Sequence, residues 1–369
     1  MFSILGLKKG ETMSDFCQRV IKLFKNCTKK IIPYALALAA TPNRKTYAGI
    51  SRSLDIEYLE LYDYIKTCND YEKKILETLC SKVKKYQTRQ NPGKIIFDFT
   101  RLAKDKDAKT PSTTWDRDGR INKVNNGFSV GFCVWTNGFI TIPLSFCFWL
   151  NTKDAGDLYL SKKDLAKRII KITKEQLGDL EVIVDGEFAT LEMLEFFAEE
   201  KIQFTARIAC NRNVITAAGI KAQLRNHEQL RLRKNEKSRT IQASFGNRSY
   251  QFTAVKQKTR NGKKKIVFII STFQRTSKEH VKAYALRWHI EKFFRTSKQS
   301  LGLEDCQSHK LEGIIFHIFA VMLAYTAIEE TKFAKKKKSP EFVLGILKSK
   351  NSNRLFHQYA DLVETYVTF

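Results

Sequence analysis

Lys94-Ile95-Ile96-Phe97-Asp98-Phe99-Thr100 is the stretch on which the fold turns. It follows the turn former Asn91-Pro92-Gly93, and its β-branched and aromatic residues read as a strand. The hydrophobic period changes here. Upstream, apolar residues recur at helical spacing, in Phe16, Val20, Leu23 and Phe24 and again in Ile75, Leu76, Leu79 and Val83. Downstream, Phe128 to Trp135 and Phe139 to Trp149 form two more β-type runs around the hairpin signal Thr136-Asn137-Gly138. A helix over about Lys162 to Gln176, a strand ending in Asp185, a helix over Thr190 to Glu200 and a strand over Gln203 to Ile208 follow. Three strands and then alternating helices and strands predict an α/β protein with a mixed sheet.

Charge narrows the function. The 369 residues carry 65 Lys and Arg against 38 Asp and Glu, a net charge of +27, and the pI is about 9.7. At this density like charges repel unless a polyanion neutralises them, and nucleic acid is the leading partner. The excess is concentrated: residues 201–265 hold 17 Lys and Arg and two Glu. Within them Ile241 to Phe245 and Ser249 to Lys256 alternate like strands around Gly246-Asn247. The segment reads as a β-rich insertion whose basic face tracks a phosphate backbone, or else as a solvated lysine-rich region. A second basic stretch, Thr41 to Leu54 with Arg44 and Lys45, reads as a helix-turn-helix-like unit or as a solvated helical hairpin.

Other classes are disfavoured. None of the apolar runs, Gly138 to Leu150 foremost, is expected to span a membrane. Met1 to Gly10 lacks the apolar core of a secretory signal. The eight cysteines (Cys17, Cys27, Cys68, Cys80, Cys133, Cys147, Cys210, Cys306) contain no C-x-x-C pair, which argues for reduced, mostly buried thiols rather than zinc or disulfides. No phosphate-cradling glycine loop and no recognisable Ser/His/Asp or Cys/His motif is present.

The capping-box spacing of Thr276 and Glu279 predicts a long helix from there to about Ser300, before Gly302. At 100° per residue, Tyr284, Arg287, Glu291 and Lys298 fall within a sector of about 60° and a stripe about 20 Å long, bordered by Trp288 and Arg295. A salt-bridge face would account for Arg287 and Glu291 alone. A strand of nucleic acid along the helix would use all four, the cations on phosphates and the carboxylate aimed at one of them. His289 points the other way and reads as structural. A second apolar helix, about Gly313 to Glu330, is expected to pack on the sheet, ahead of the solvated run Lys335 to Lys338.

Tyr284, Arg287, Glu291 and Lys298, at gaps of two, three and six residues, resemble the Tyr-Arg-Glu-Lys signature of the insertion-sequence-four family of DDE transposases. Asp98-Phe99-Thr100 is similar to the family's Asp-x-Thr, and Asp185-Gly186-Glu187-Phe188 to its second acidic motif. The resemblance covers about residues 90 to 330. It implies an RNase H-like mixed-sheet catalytic core over 91–330 with the basic β-rich insertion at 205–265. It also implies a helical DNA-binding domain over 1–90 and a basic helical tail over 331–369.

By this resemblance Asp98, Asp185 and Glu291 are the catalytic acids and the ligands of two Mg2+ or Mn2+ ions, with Glu187 beside them. Two such ions about 3.5–4 Å apart suit phosphodiester chemistry, because no single side chain neutralises both the entering and the leaving oxygen. Tyr284, Arg287, Lys298, Arg295, Trp288, Arg44 and Lys45 are the expected DNA contacts. Relatives stack a flipped base on a Trp of the insertion; this chain has no Trp between Asp185 and Arg287, so Trp288, Phe245, Tyr250 or Phe252 would take that part. The implied activity is cutting of insertion-sequence ends and their transfer to target DNA by a prokaryotic, cytoplasmic, nucleoid-associated protein. Its partners are double-stranded DNA and a second copy in a synaptic dimer, not a membrane. A metal-dependent nuclease or resolvase on the same core, and a non-catalytic DNA-binding regulator descended from a transposase, are the alternatives.

Overall fold

The strand around Phe97 forms as expected. It is β1 (Lys94–Ala103), and it lies inside a mixed sheet with a partner strand on each side. β1 pairs antiparallel with β3 (Lys123–Thr136), which also pairs with the short β2 (Thr114–Asp118) and with β4 (Thr141–Trp149). On its other side β1 pairs parallel with β5 (Glu181–Val184), and β5 pairs parallel with β6 (Phe204–Ile208). The parallel pairings need crossovers, supplied by α4 (Lys162–Leu177) and α5 (Leu191–Glu199). The order β4-β3-β1-β5-β6, an antiparallel meander followed by parallel strands, is consistent with an RNase H-like transposase domain. This computed structural model describes residues 31–54, 71–104, 113–118, 123–258, 262–308, 310–337 and 339–348. The readings on Phe16 to Phe24, on Cys17, Cys27 and Cys68, on Lys338 and on the tail beyond 348 lie outside these residues.

The basic segment extends the same sheet. β7 (Asn213–Ile215), β8 (Lys221–Gln223), β9 (Ser238–Phe245), β10 (Arg248–Lys258) and β11 (Lys264–Ser271) continue it in the order β6-β11-β10-β9-β7-β8. The turn at Gly246-Asn247 is where the alternation places it, Gly246 taking φ 62° between β9 and β10.

Helices close both faces. α1 (Ile31–Ala40), α2 (Tyr47–Leu54) and α3 (Tyr71–Tyr86) precede the sheet; α6 (Ser277–Ala285), α7 (Trp288–Ser300), α8 (Leu311–Ala334) and α9 (Pro340–Leu347) follow it. Two expectations are corrected. The helix expected from Thr276 to Ser300 is two helices, because Leu286 and Arg287 form a tight turn. His289 and Ile290 bond back three residues there, to the Leu286 and Arg287 carbonyls, instead of four. The longest apolar element is α8, not Gly138 to Leu150. By length and a hydropathy of 1.9 it could cross a membrane, yet 83% of that window is buried inside the fold, where it is the central core helix.

Candidate active site

The register explains how the two aspartates meet. The last pair between the parallel strands β1 and β5 is Phe97↔Val184, both fully buried, so the next residue on each strand, Asp98 and Asp185, turns to the opposite face side by side. Asp98 does not end its strand. It marks where the β5 pairing stops, and β1 runs on to Ala103.

The third acid is delivered by packing. Asp98 lies directly across from Phe132 on β3, and the Phe132 ring meets Phe293 and Phe294 of α7 at 5.2 and 5.7 Å between centroids. Phe293 also meets Tyr325 of α8 at 4.9 Å. α7 is thereby wedged between the sheet and the core helix, with Glu291, two residues before Phe293, at the edge of that contact. The three acids line a cleft of about 660 Å3 together with Glu187, Trp288 and Arg295.

Signature residues bind the acids. Arg287 Nη1 donates to Asp98 Oδ2 at 3.0 Å and to Glu291 Oε1 at 3.2 Å, so two acids from distant parts of the chain share one nitrogen. The Tyr284 hydroxyl donates to Asp185 Oδ1 at 3.2 Å. The turn at Leu286–Arg287 keeps Tyr284 and Arg287 on the acid side although the helix does not continue through it. Burial pushes the Asp98 carboxyl up to about 7; Arg287 opposes this, while Asp185 and Glu291 add to it. Burial and the neighbouring Asp185 likewise raise the Tyr284 hydroxyl, keeping it a donor.

Other expected contacts divide sharply. Trp288 is 56% exposed at the cleft and offers an open ring face, and Arg295 is exposed beside it. Arg44 is exposed and pairs with Asp305 at 3.4 Å. Lys45 is 4% exposed, and its ammonium donates to the Thr41 and Asn43 carbonyls at 2.6 Å each. Lys298 lines the cleft of the acids, its ammonium bound to the Arg101 carbonyl and to Glu304. Tyr250 and Phe252 belong to the core and are not stacking surfaces. His289 is structural as read, bonded with Thr141 Oγ1 at 2.9 Å.

One residue escaped the sequence reading. β5 and β6 pair at Val184↔Ala206, so Arg207 follows Asp185 just as Asp185 follows Asp98. It stands near enough for its charge to act on Tyr284, and it lines a second cleft of about 320 Å3 with Asp185, Cys210 and Lys265. The signal was the position itself: in Phe204-Thr205-Ala206-Arg207 the cation occupies the same place after an apolar run as Asp98 and Asp185 do.

The donor set suits a hard divalent cation: three carboxylates at one cleft, one of them holding its proton near neutrality chiefly through burial. Among the described residues no three His, Cys, Asp or Glu side chains already stand as a closed metal-binding group. The cation between Asp98 and Glu291 is the Arg287 guanidinium. No curated protein matches this chain. Residues 162–327, which include Asp185, Tyr284, Arg287, Glu291 and Lys298, match the family model described as Transposase DDE domain, a match that supports a DDE transposase.

Proposed function

We propose that the chain is a transposase of the insertion-sequence-four family, cutting the ends of a mobile element and joining them to target DNA. The observation that carries this is the convergence of Asp98, Asp185 and Glu291, two from the point where adjacent parallel strands stop pairing and one from a helix docked on Phe132. Asp98, Asp185 and Glu291 would hold two Mg2+ or Mn2+ ions, which supply a nucleophilic oxygen and neutralise the leaving one. Asp98 lies between the other two acids and would have to give up its proton for this. Arg287 and Tyr284 are within reach of the acids and of any phosphate brought to them, so phosphate and carboxylate compete for the same donors. Trp288 offers a face for an unstacked base, and Arg207 and Arg295 extend the cationic walls.

On this reading residues 1–90 bind the element's ends, the basic strands of 205–265 clamp them, and the basic tail over 331–369 adds to the grip. A cytoplasmic homodimer holds two ends in one synaptic complex. The test uses the DNA flanking the gene as labelled ends, a target plasmid and Mg2+. Joined product that vanishes with Asp98→Asn, Asp185→Asn or Glu291→Gln, while DNA binding persists, is the expected result. Cleavage without joining would make the protein a nuclease or resolvase. A cellular activity untouched by these substitutions would make it a regulator.

A further inference from the structure

We propose that the pocket at the foot of β1 and β5 is a binding site for a phosphate group, separate from the cleft of the acids. Register sets the two apart. Lys94↔Glu181 is the first pair of these parallel strands and Phe97↔Val184 the last, so Asp98 and Asp185 stand about 13 Å further along the same strands. The pocket has a volume of about 290 Å3. Lys94, Lys174, Lys201 and Arg275 line it, against the two acids Glu181 and Asp179.

The central cations are held in place rather than used up. The Glu181 side chain is 3% exposed. Its oxygens accept from Arg275 Nη1 and Nη2 at 2.9 Å each, from the Thr205 hydroxyl at 2.5 Å and from the Lys94 ammonium. Burial alone would raise this carboxyl; Arg275 and Lys94 hold it below its ordinary range, so it stays charged and keeps both cations. The Phe273 ring lies 3.8 Å from the guanidinium and fixes its plane. A guanidinium has five N–H donors and an ammonium three. Arg275 gives two to Glu181 and Lys94 gives one, and among the described residues the rest meet no other protein acceptor. Donors left over on charged groups are what a phosphate oxygen takes.

Lys201 brings another cation at a cost to the backbone. Its N–H donates to the Ala198 carbonyl at 3.2 Å and that of Ile202 to the Phe197 carbonyl at 2.7 Å, which is the Schellman ending of α5. The left-handed position of that ending ordinarily takes glycine, yet Lys201 holds it with φ 53° and so places a side chain at the pocket. Lys174 is spent on the Glu200 carbonyl and on Asp179 at 3.3 Å, which neutralises the exposed acid at the rim. Lys94 and Arg275 exceed Glu181 by one charge, and Lys201 adds a second, a surplus that suits a phosphate.

The experiment titrates the metal-free full chain with inorganic phosphate and with pyrophosphate by calorimetry. Lys94→Met and Lys201→Gly are compared with Lys282→Gln, a control on an exposed lysine of α6. Saturable binding that weakens about tenfold in Lys94→Met, falls in the same direction in Lys201→Gly and is unchanged in the control is the expected result. Lys201→Gly installs the residue that the helix end prefers, so it carries the test should Lys94→Met fail to fold. No saturable binding to the wild type, or binding equal in all three variants, would overturn the proposal in favour of an ion cluster that only ties the strands together. Two sources carry such a group, and a salt series with element-end DNA separates them. A slope smaller by about one ion in Lys201→Gly assigns the site to the DNA backbone. An unchanged slope, with pyrophosphate still binding the DNA-saturated chain, assigns it to a free phosphate compound.

Discussion

Asp98 concentrates the electrostatics of the site in one carboxyl group. Its folded pKa of about 7 is raised by burial, with Asp185 and Glu291 adding and Arg287 opposing. A raised acid favours the protonated fold, so its contribution to stability is fully present below the ordinary carboxylate range and is lost as pH rises through about 7. Metal binding works against the same proton. Mn2+ affinity should therefore rise about tenfold between pH 6 and pH 8 and flatten above. Calorimetry over that range checks it, and an affinity independent of pH would mean that Asp98 takes no part. Arg207 makes a separate prediction. As an exposed-side neighbour of Asp185 it should hold one phosphate, so Arg207→Ala should reduce the salt slope of DNA binding by about one ion and leave Mn2+ affinity unchanged. Asp98 and Asp185 were legible because an acid interrupting an apolar strand is conspicuous in sequence. Arg207 shares that position after an apolar run, but its place beside Asp185 is a register between strands, which the local pattern alone does not establish. The partners of Lys45 and Lys298 were not legible either: Lys45 turns back on the nearby Thr41 and Asn43 carbonyls, while Lys298 meets the Arg101 carbonyl, distant in sequence.

Among the elements, α8 shows how tightly the frame of the site is specified. Nε2 of His317 faces a carbonyl and must carry a hydrogen, so Nδ1 accepts from the Tyr34 hydroxyl at 2.9 Å and the ring is neutral. Burial lowers this histidine to about 4, and His289, half-buried on the face of α7 away from Glu291, is lowered to about 4 as well. For a lowered histidine the sign is the reverse of that for Asp98. The stabilisation is complete above about 6.5, the usual imidazole value, and is lost as pH falls toward 4. Between those limits each group should cost about 1.4 kcal/mol per pH unit. Urea unfolding at pH 7 and pH 5 should show the loss, and His317→Gln, which retains a donor and an acceptor, should reduce the dependence while leaving the His289 share. An unaltered dependence would mean that His317 is not buried neutral. Element identity was largely readable: the alternation of Phe128 to Trp149 and the capping box at Thr276 and Glu279 appear where the sequence puts them. The break at Leu286 was invisible, because a helical wheel assumes a constant 3.6-residue turn and two residues of tighter winding leave composition unchanged.

At the scale of the whole molecule, the described helices before the sheet pack into the same core as the sheet and α8. α1 (Ile31 to Ala40) is apolar on every side, the signature of a helix destined for full burial rather than for a surface. It packs along α8, with the Tyr34 ring 5.6 Å from Phe316 and tilted against it. α3 joins the same core through Ile75, Leu79 and Val83, and the Tyr86 hydroxyl donates to the buried Glu330 at 2.9 Å. The composition shift near residue 90 thus marks a change of secondary structure within a continuous core, which hydrophobic period alone could not distinguish from a change of domain. A fragment beginning at residue 91 would leave the α1 face of α8 uncovered, exposing one side of a largely apolar 24-residue helix. Such a fragment should aggregate or lack a cooperative melt, whereas the full chain should unfold with α1, α8 and the sheet in one transition. Gel filtration and thermal unfolding monitored by circular dichroism would decide it. A monomeric fragment with a sharp transition close to that of the full chain would show that α8 does not need α1, and that the DNA-binding part can be separated from the acids without cost.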